Sequence, residues 1–321
     1  MASLVPNRYN PINERRTPTI RPDDDQCNAM NGVSAAIVTH FASDLTVDHA
    51  AVRAQVNRLL DDGIHGIVAA GTMGEAASLS IEERQAVVAS AVAAAGGRVP
   101  VYVGVSAATA EQACAHAHDA ADAGAAGVMV LPPLLYRGDL RELIRFFAHV
   151  GEATELPMMV YNNPPASGSD MVPDVLAQIA REVPTVRSFK ECSGDARRVA
   201  ALIGLCPDLD VLVGGDDWAL EGFCAGAAGW ISGVAVPAPR QCVRLWDLCA
   251  AGELVQARQL YAELLPLARF DMTPKLVQYF KAALDELGIG GGPCRPPRLP
   301  LAAAERQALR LALAHASPAP V

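Results

Sequence analysis

Phe189-Lys190-Glu191 is the stretch of this chain best equipped for covalent chemistry. Residues 185–189 read as a short strand rich in β-branched and aromatic residues. The strand runs into a lysine, and Ser193-Gly194-Asp195 then breaks it and opens a helical pattern. A lysine at the C-terminal tip of a strand flanked by βα units can project into a barrel mouth, where such enzymes keep their chemistry. Desolvation makes an amine lose its proton more easily, and the neutral amine can attack a carbonyl. The competing reading is an ordinary strand-end lysine whose stem lies on apolar surface while its head reaches water.

Three further stretches hold reactive or ligand-holding groups. In Gly71-Thr72-Met73-Gly74-Glu75 the glycines let backbone N–H groups turn toward a carboxylate, and Thr72 adds a hydroxyl; a plain glycine turn is the alternative. In Tyr161-Asn162-Asn163-Pro164 the phenol can relay a proton, or its ring can simply close the core. In Gly214-Gly215-Asp216-Asp217 the carboxylates can hold substrate hydroxyls or cap the next helix, and capping is the expected role of Asp217.

These groups act together only if a scaffold brings them to one face. From residue 33 the chain alternates between apolar runs and helical spacing. Strands are expected at 33–39, 66–70, 100–105, 127–131, 157–161, 185–189, 210–214 and 229–233, each followed by a helix. Ser80 with Glu83, and Thr109 with Gln112, have the spacing of capping boxes. Eight βα units with strands apolar on both faces predict a (β/α)8 TIM barrel. A doubly wound open sheet would usually carry a Gly-x-Gly-x-x-Gly run after its first strand, and none is there. Loops that follow barrel strands share one rim, so the four stretches converge.

After residue 251 the pattern changes to helix on helix, at 253–267, 274–287 and 302–316, a C-terminal helical appendage. Leu276, Tyr279, Phe280 and Ala283 are expected as its packing stripe. Residues 1–29 are polar and proline-bearing and read as a mobile N-terminal arm. The expected organisation is an arm at 1–29, a barrel at 30–250 and a helical region at 251–321.

Composition limits the function classes. A net charge of −9 argues against binding the nucleic-acid backbone. No run of 18 apolar residues predicts a membrane span, and no secretory signal is evident, so the cytoplasm is the expected compartment. The eight cysteines form no Cys-x-x-Cys pair and read as reduced core thiols, Cys224 among them, with no metal site.

Four motifs in order resemble the dihydrodipicolinate synthase / N-acetylneuraminate lyase family of class I, Schiff-base aldolases. They are the 71–75 and 161–164 stretches, Phe189-Lys190-Glu191 with Ser193-Gly194-Asp195, and Gly226-Ala227-Ala228-Gly229-Trp230-Ile231-Ser232. The resemblance spans about residues 32–300. It implies that Lys190 forms an imine with the keto carbon of pyruvate or another 2-oxo acid, that Tyr161 shuttles protons, and that Thr72 hydrogen-bonds that tyrosine. Gly215 and Ile231 are implied to line the 2-oxo acid site, and Met73, Gly74 and Asp216 complete the expected substrate-binding set. No cofactor is implied beyond the covalent imine on Lys190. A homo-oligomer, dimer or tetramer, is implied.

Three departures bear on the substrate. Met73 stands where the family usually has a second hydroxyl residue, so carboxylate binding would rest on backbone N–H groups. Leu131-Pro132-Pro133-Leu134-Leu135 lacks the tyrosine that synthases contribute across a subunit interface, and Tyr136 follows it. Ala166 stands where lysine-pathway synthases carry an arginine for the second substrate's carboxylate. The expectation is therefore a lyase that makes or breaks a C–C bond, outside lysine biosynthesis. One alternative is a 1-pyrroline-4-hydroxy-2-carboxylate deaminase, a subgroup that residues 271–279 and 161–165 resemble. A non-catalytic ligand-binding barrel is the other, and intact Lys190 and Tyr161 argue against it.

Overall fold

The computed structural model describes residues 30–316, so the 1–29 arm and Cys27 lie outside it. Eight parallel strands close into a barrel in sequence order: β1 (Gly32–Ala36), β2 (Gly66–Ala69), β3 (Val101–Val105), β4 (Gly127–Val130), β5 (Met158–Asn162), β6 (Val186–Glu191), β7 (Asp210–Val213) and β8 (Gly229–Ser232). β8 returns to pair with β1, which leaves no sheet edge. Nearly every strand residue is buried, because helices cover the outside and side chains fill the inside. The expected TIM barrel is the observed one.

The covering helices follow from their sequences. Leu140–Glu152 places Leu143, Phe146, Phe147 and Val150 on one stripe, and all four are buried against the barrel. Each such side chain contributes roughly 1.5–3 kcal/mol by leaving water. Ser80 and Glu83 close a reciprocal capping box at the start of Ile81–Ala95. Thr109 caps Ala110–Asp122 through the Gln112 N–H, but Gln112 Oε1 accepts from the Ala108 N–H instead of closing the box.

Three expectations need correction. β1 ends at Ala36, not Thr39, because beyond it side chains supply the backbone partners. The Gln55 amide takes both the N–H and the C=O of Val38. Asp217 caps nothing: residues 216–218 form a short 3-10 turn, and helix Ala219–Cys224 starts at Trp218 without a side-chain cap. Asp217 Oδ1 is left buried and unpartnered. Cys224 is exposed, at the end of its helix.

The helices Leu254–Ala268, Leu276–Glu286 and Ala303–Ala316 pack together at the barrel's flank. Tyr279, Phe280 and Ala283 are buried there as expected. Leu276 departs from the stripe, since it is only half-buried and borders the cavity described next.

Candidate active site

Lys190 is the second-last residue of β6, and its Cα is in register with that of Tyr161 on β5. In parallel neighbours such a pair points its side chains to the same face. The Lys190 ammonium nitrogen lies 4.1 Å from the centre of the Tyr161 ring. Room for it comes from β7: a Cβ at Gly214 would sit 2.9 Å from Lys190 Cε and 2.8 Å from Cys192 Cβ. Only glycine lets the lysine stem lie across that strand end.

Both groups are removed from water, with Lys190 6% and Tyr161 5% exposed. Burial pushes the lysine below its ordinary 10.5, while Cys192, Asp271 and Asp216 pull the other way. Burial also pushes the Tyr161 phenol well above 10, so the phenol keeps its proton. Lys190 Nζ makes no hydrogen bond among the described residues.

The implied bond between Thr72 and Tyr161 is absent. Asn163 Nδ2 donates to the phenol oxygen at 2.6 Å instead. Asn163 is held for this by its other amide atom, which caps the short helix Pro164–Ser167 by accepting the Ala166 N–H. The sequence reading quoted Asn163 in its motif and gave it no role. An Asn ahead of Pro-Pro is a helix-start signal that would have marked its side chain as fixed.

Lys190 and Tyr161 face a cavity of about 300 Å³. Thr72, Met73 and Ile231 line it, as do Ala166 and Asn163. The remaining expected substrate contacts, Gly74, Gly215 and Asp216, are not on its wall; Gly71 and Gly214 stand there instead. Gly215 turns toward Trp218, whose Nε1 would be 2.2 Å from a Cβ at that position. Asp216 is fully buried and committed elsewhere: Oδ1 accepts from Trp230 Nε1 at 2.9 Å and Oδ2 from the Val234 N–H at 2.6 Å. It clamps β8 and the turn after it to the end of β7.

The opposite wall comes from the appendage. Asp271, Met272, Thr273, Pro274 and Leu276 all border the cavity. Among these, Asp271 is the charged residue that sequence reasoning left without a role. It sits off any strand tip, so the barrel pattern does not point to it.

The 71–75 loop is pinned from beneath. Thr39 Oγ1 donates to the Gly74 carbonyl at 2.6 Å. Glu75, in the left-handed region at φ 52°, meets Lys281 Nζ at 2.7 Å with both side chains essentially buried. Its other oxygen accepts the Arg295 N–H at 3.0 Å. Among the described residues, no group of three or more His, Cys, Asp or Glu side chains is placed to hold a metal ion. None of the described helices is long and apolar enough to cross a membrane.

An amine and a phenol facing one cavity at the C-terminal rim of a parallel barrel define a barrel enzyme acting on a small molecule. Comparison with known proteins gives the family. The model of the dihydrodipicolinate synthetase family matches residues 29–316. A 4-hydroxy-tetrahydrodipicolinate synthase of Methanoculleus marisnigri is 34% identical over 291 residues, covering 88% of this chain and 98% of that one. A DapA-like lyase of Halobacterium salinarum is 32% identical, covering 89% and 93%. Among solved structures, a monomeric dihydrodipicolinate synthase variant superposes with TM-score 0.87 at 28% identity, covering 92% and 99%. Dihydrodipicolinate synthase from Thermotoga maritima gives 0.86 at 28%, covering 90% and 99%. The chain belongs to the dihydrodipicolinate synthetase family and is an enzyme of its aldolase-type lyase class.

Proposed function

We propose that this lyase works through an imine between Lys190 and a 2-oxo acid, pyruvate or a longer analogue, and that it is not the lysine-biosynthetic synthase. The observation that carries the reading is the buried Lys190 amine, without a hydrogen-bond partner among the described residues, against the buried Tyr161 phenol. The neutral amine attacks the keto carbon, water leaves, and the protonated imine draws electrons from the adjacent C–C or C–H bond. Tyr161 hands protons to and from the departing water and the new carbanion centre, with Asn163 fixing its oxygen. Backbone N–H groups of the 71–75 loop take the 2-oxo acid's carboxylate, since Met73 offers no hydroxyl. No cofactor enters this scheme.

Ala166 on the cavity wall supports the exclusion of lysine biosynthesis. It leaves no guanidinium for a second carboxylate at that place. The deaminase reading stays as a second candidate, because the 271–276 segment that resembles that subgroup borders the same cavity. Leu135 supports a homo-oligomer: it is 98% exposed, an apolar side chain that a second copy would take out of water.

Borohydride reduction in the presence of pyruvate, read by peptide mass, tests the imine. The expected adduct is on Lys190, and no adduct there with any of a panel of 2-oxo acids overturns the reading. Ammonia release from 1-pyrroline-4-hydroxy-2-carboxylate, set against aldehyde-plus-pyruvate condensation, separates the two enzyme candidates.

A further inference from the structure

Among the described residues that line the cavity, two are charged: Lys190 and Asp271. Asp271 belongs to the turn Arg269–Met272, which links helix Leu254–Ala268 to helix Leu276–Glu286. Its Oδ2 accepts the Asp216 N–H at 3.3 Å. Its Oδ1 has no hydrogen bond among the described residues. Gly233 keeps that oxygen clear, since a Cβ there would lie 3.0 Å from it. Among the described residues no arginine or lysine side chain hydrogen-bonds to Asp271; Lys190 is the cation whose field it feels. Imine formation leaves the positive charge on the Lys190 nitrogen, and Asp271 keeps an unfilled acceptor position facing the substrate.

An acceptor left open in a low-dielectric cavity discriminates strongly by chemistry. A substrate group that donates a hydrogen bond satisfies it. A second carboxylate beyond the imine carbon meets like charge, and among the described residues the cavity lining offers it no cationic side chain other than the lysine already bonded to the substrate. We infer that Asp271 is the specificity-determining residue of this site: it accepts a hydrogen bond from a hydroxyl beyond the imine carbon of the substrate and rejects 2-oxo acids that carry a second carboxylate there. This rests on the imine reading above, and it narrows the substrate class to hydroxylated 2-oxo monoacids. Ala166 and Asp271 then act in the same direction from two walls, one by withholding a cation and the other by supplying an anion.

The groups acting on Asp271 are Lys190 from β6, the Asp216 N–H and the Asp217 carboxyl from the turn after β7; the Asp216 carboxyl, which burial and the Asp271 charge raise well above its ordinary value, the Cys192 thiol and the Tyr161 phenol also feel its charge. Cys192, pushed up to about 12, and Tyr161, pushed well above 10, keep their protons through neutral pH. Burial lifts the Asp271 carboxyl to about 6 against the pull of Lys190 and the Asp216 N–H. It is therefore charged at neutral pH and loses its charge just below.

The test compares three 2-oxo acids by the concentration giving half-maximal borohydride trapping on Lys190. They are pyruvate, 5-hydroxy-2-oxopentanoate and 2-oxoglutarate, the last two matched in length. The wild type should take the hydroxy acid at a concentration at least about 10-fold lower than 2-oxoglutarate. In Asp271→Asn that preference should collapse to within about 3-fold; the readout is the ratio between the two acids, in which any change in Lys190 reactivity common to all substrates, pyruvate included, cancels. In the wild type alone, lowering the pH through about 6 should shrink the same preference, a measurement that stands if the variant fails to fold. A preference absent in the wild type, or unchanged in Asp271→Asn and across pH with pyruvate still trapped, overturns the inference and leaves the imine standing. No trapping of any 2-oxo acid sinks both.

Discussion

Lys190 and Lys281 are both taken out of water, at 6% and 1% exposure, and burial lowers both amines below 10.5. The direction of that shift does not distinguish them; their partners do. Lys281 Nζ donates to Glu75 Oε1 and to the Pro293 carbonyl, each at 2.7 Å, and lies 4.5 Å over the Phe41 ring. Its charge is fully answered, so it holds two parts of the chain together. Lys190 has a phenol ring at 4.1 Å and no hydrogen bond among the described residues. A buried amine that is paired is a fastener, and one that is unpaired is kept for a substrate.

The comparison can be broken by swapping the two losses. Lys190→Met should lower kcat by about a thousandfold or more and abolish reductive trapping, the usual scale for losing a covalent nucleophile. The same change should leave thermal stability intact or raised. Lysine's folded value is depressed, so below it the folded state carries a buried charge the unfolded chain carries freely. That cost is present at low pH and is relieved as pH rises toward 10.5. Lys281→Met should do the opposite: it strands buried Glu75, at a cost of about 3–5 kcal/mol in denaturant unfolding. If Lys281→Met costs nothing, or Lys190→Met unfolds the protein, the distinction between the two amines fails.

Tyr161→Phe sharpens the same contrast with a smaller effect. It removes the proton carrier but leaves the ring beside the amine. Turnover should fall by about 10² to 10⁴-fold while slow imine trapping on Lys190 persists. The pH profile of trapping comes next. The neutral fraction of Lys190 grows with pH, so the trapping rate should rise and level off below 10.5, as measured by timed borohydride quenching. Arg298→Ala closes the series. Arg298 approaches Glu75 at 3.5 Å from a partly exposed position, and its loss should cost under about 1 kcal/mol in the same unfolding assay.

The barrel was legible because its signals are periodic and local. Apolar runs separated by helical spacing give eight strands, and a lysine or tyrosine at a strand tip has one place to point. Lys190, Tyr161 and Thr72 reach the cavity on that logic; Met73 and Ile231, expected from the family resemblance, reach it too. Position within a tip was harder to read. Gly214 and Gly215 are adjacent, yet one borders the cavity and the other turns to Trp218, a choice set by tertiary packing. Asp216 looked like a ligand-holding carboxylate because its partners, the Trp230 indole and the Val234 N–H, lie on β8 and beyond. The Glu75–Lys281 pair spans 206 residues and has no periodic trace. Asp271 sits in a turn of the appendage, where residue type alone says nothing about a cavity.

Because the tail both pins the 71–75 loop through Lys281 and supplies one wall of the pocket, the site is a composite of two ends of one polypeptide. Exchanging that tail among relatives would move substrate preference as a cassette, with the amine and the phenol left untouched. Variation could then explore new carbon skeletons at one end of the chain without rebuilding the reaction at its centre.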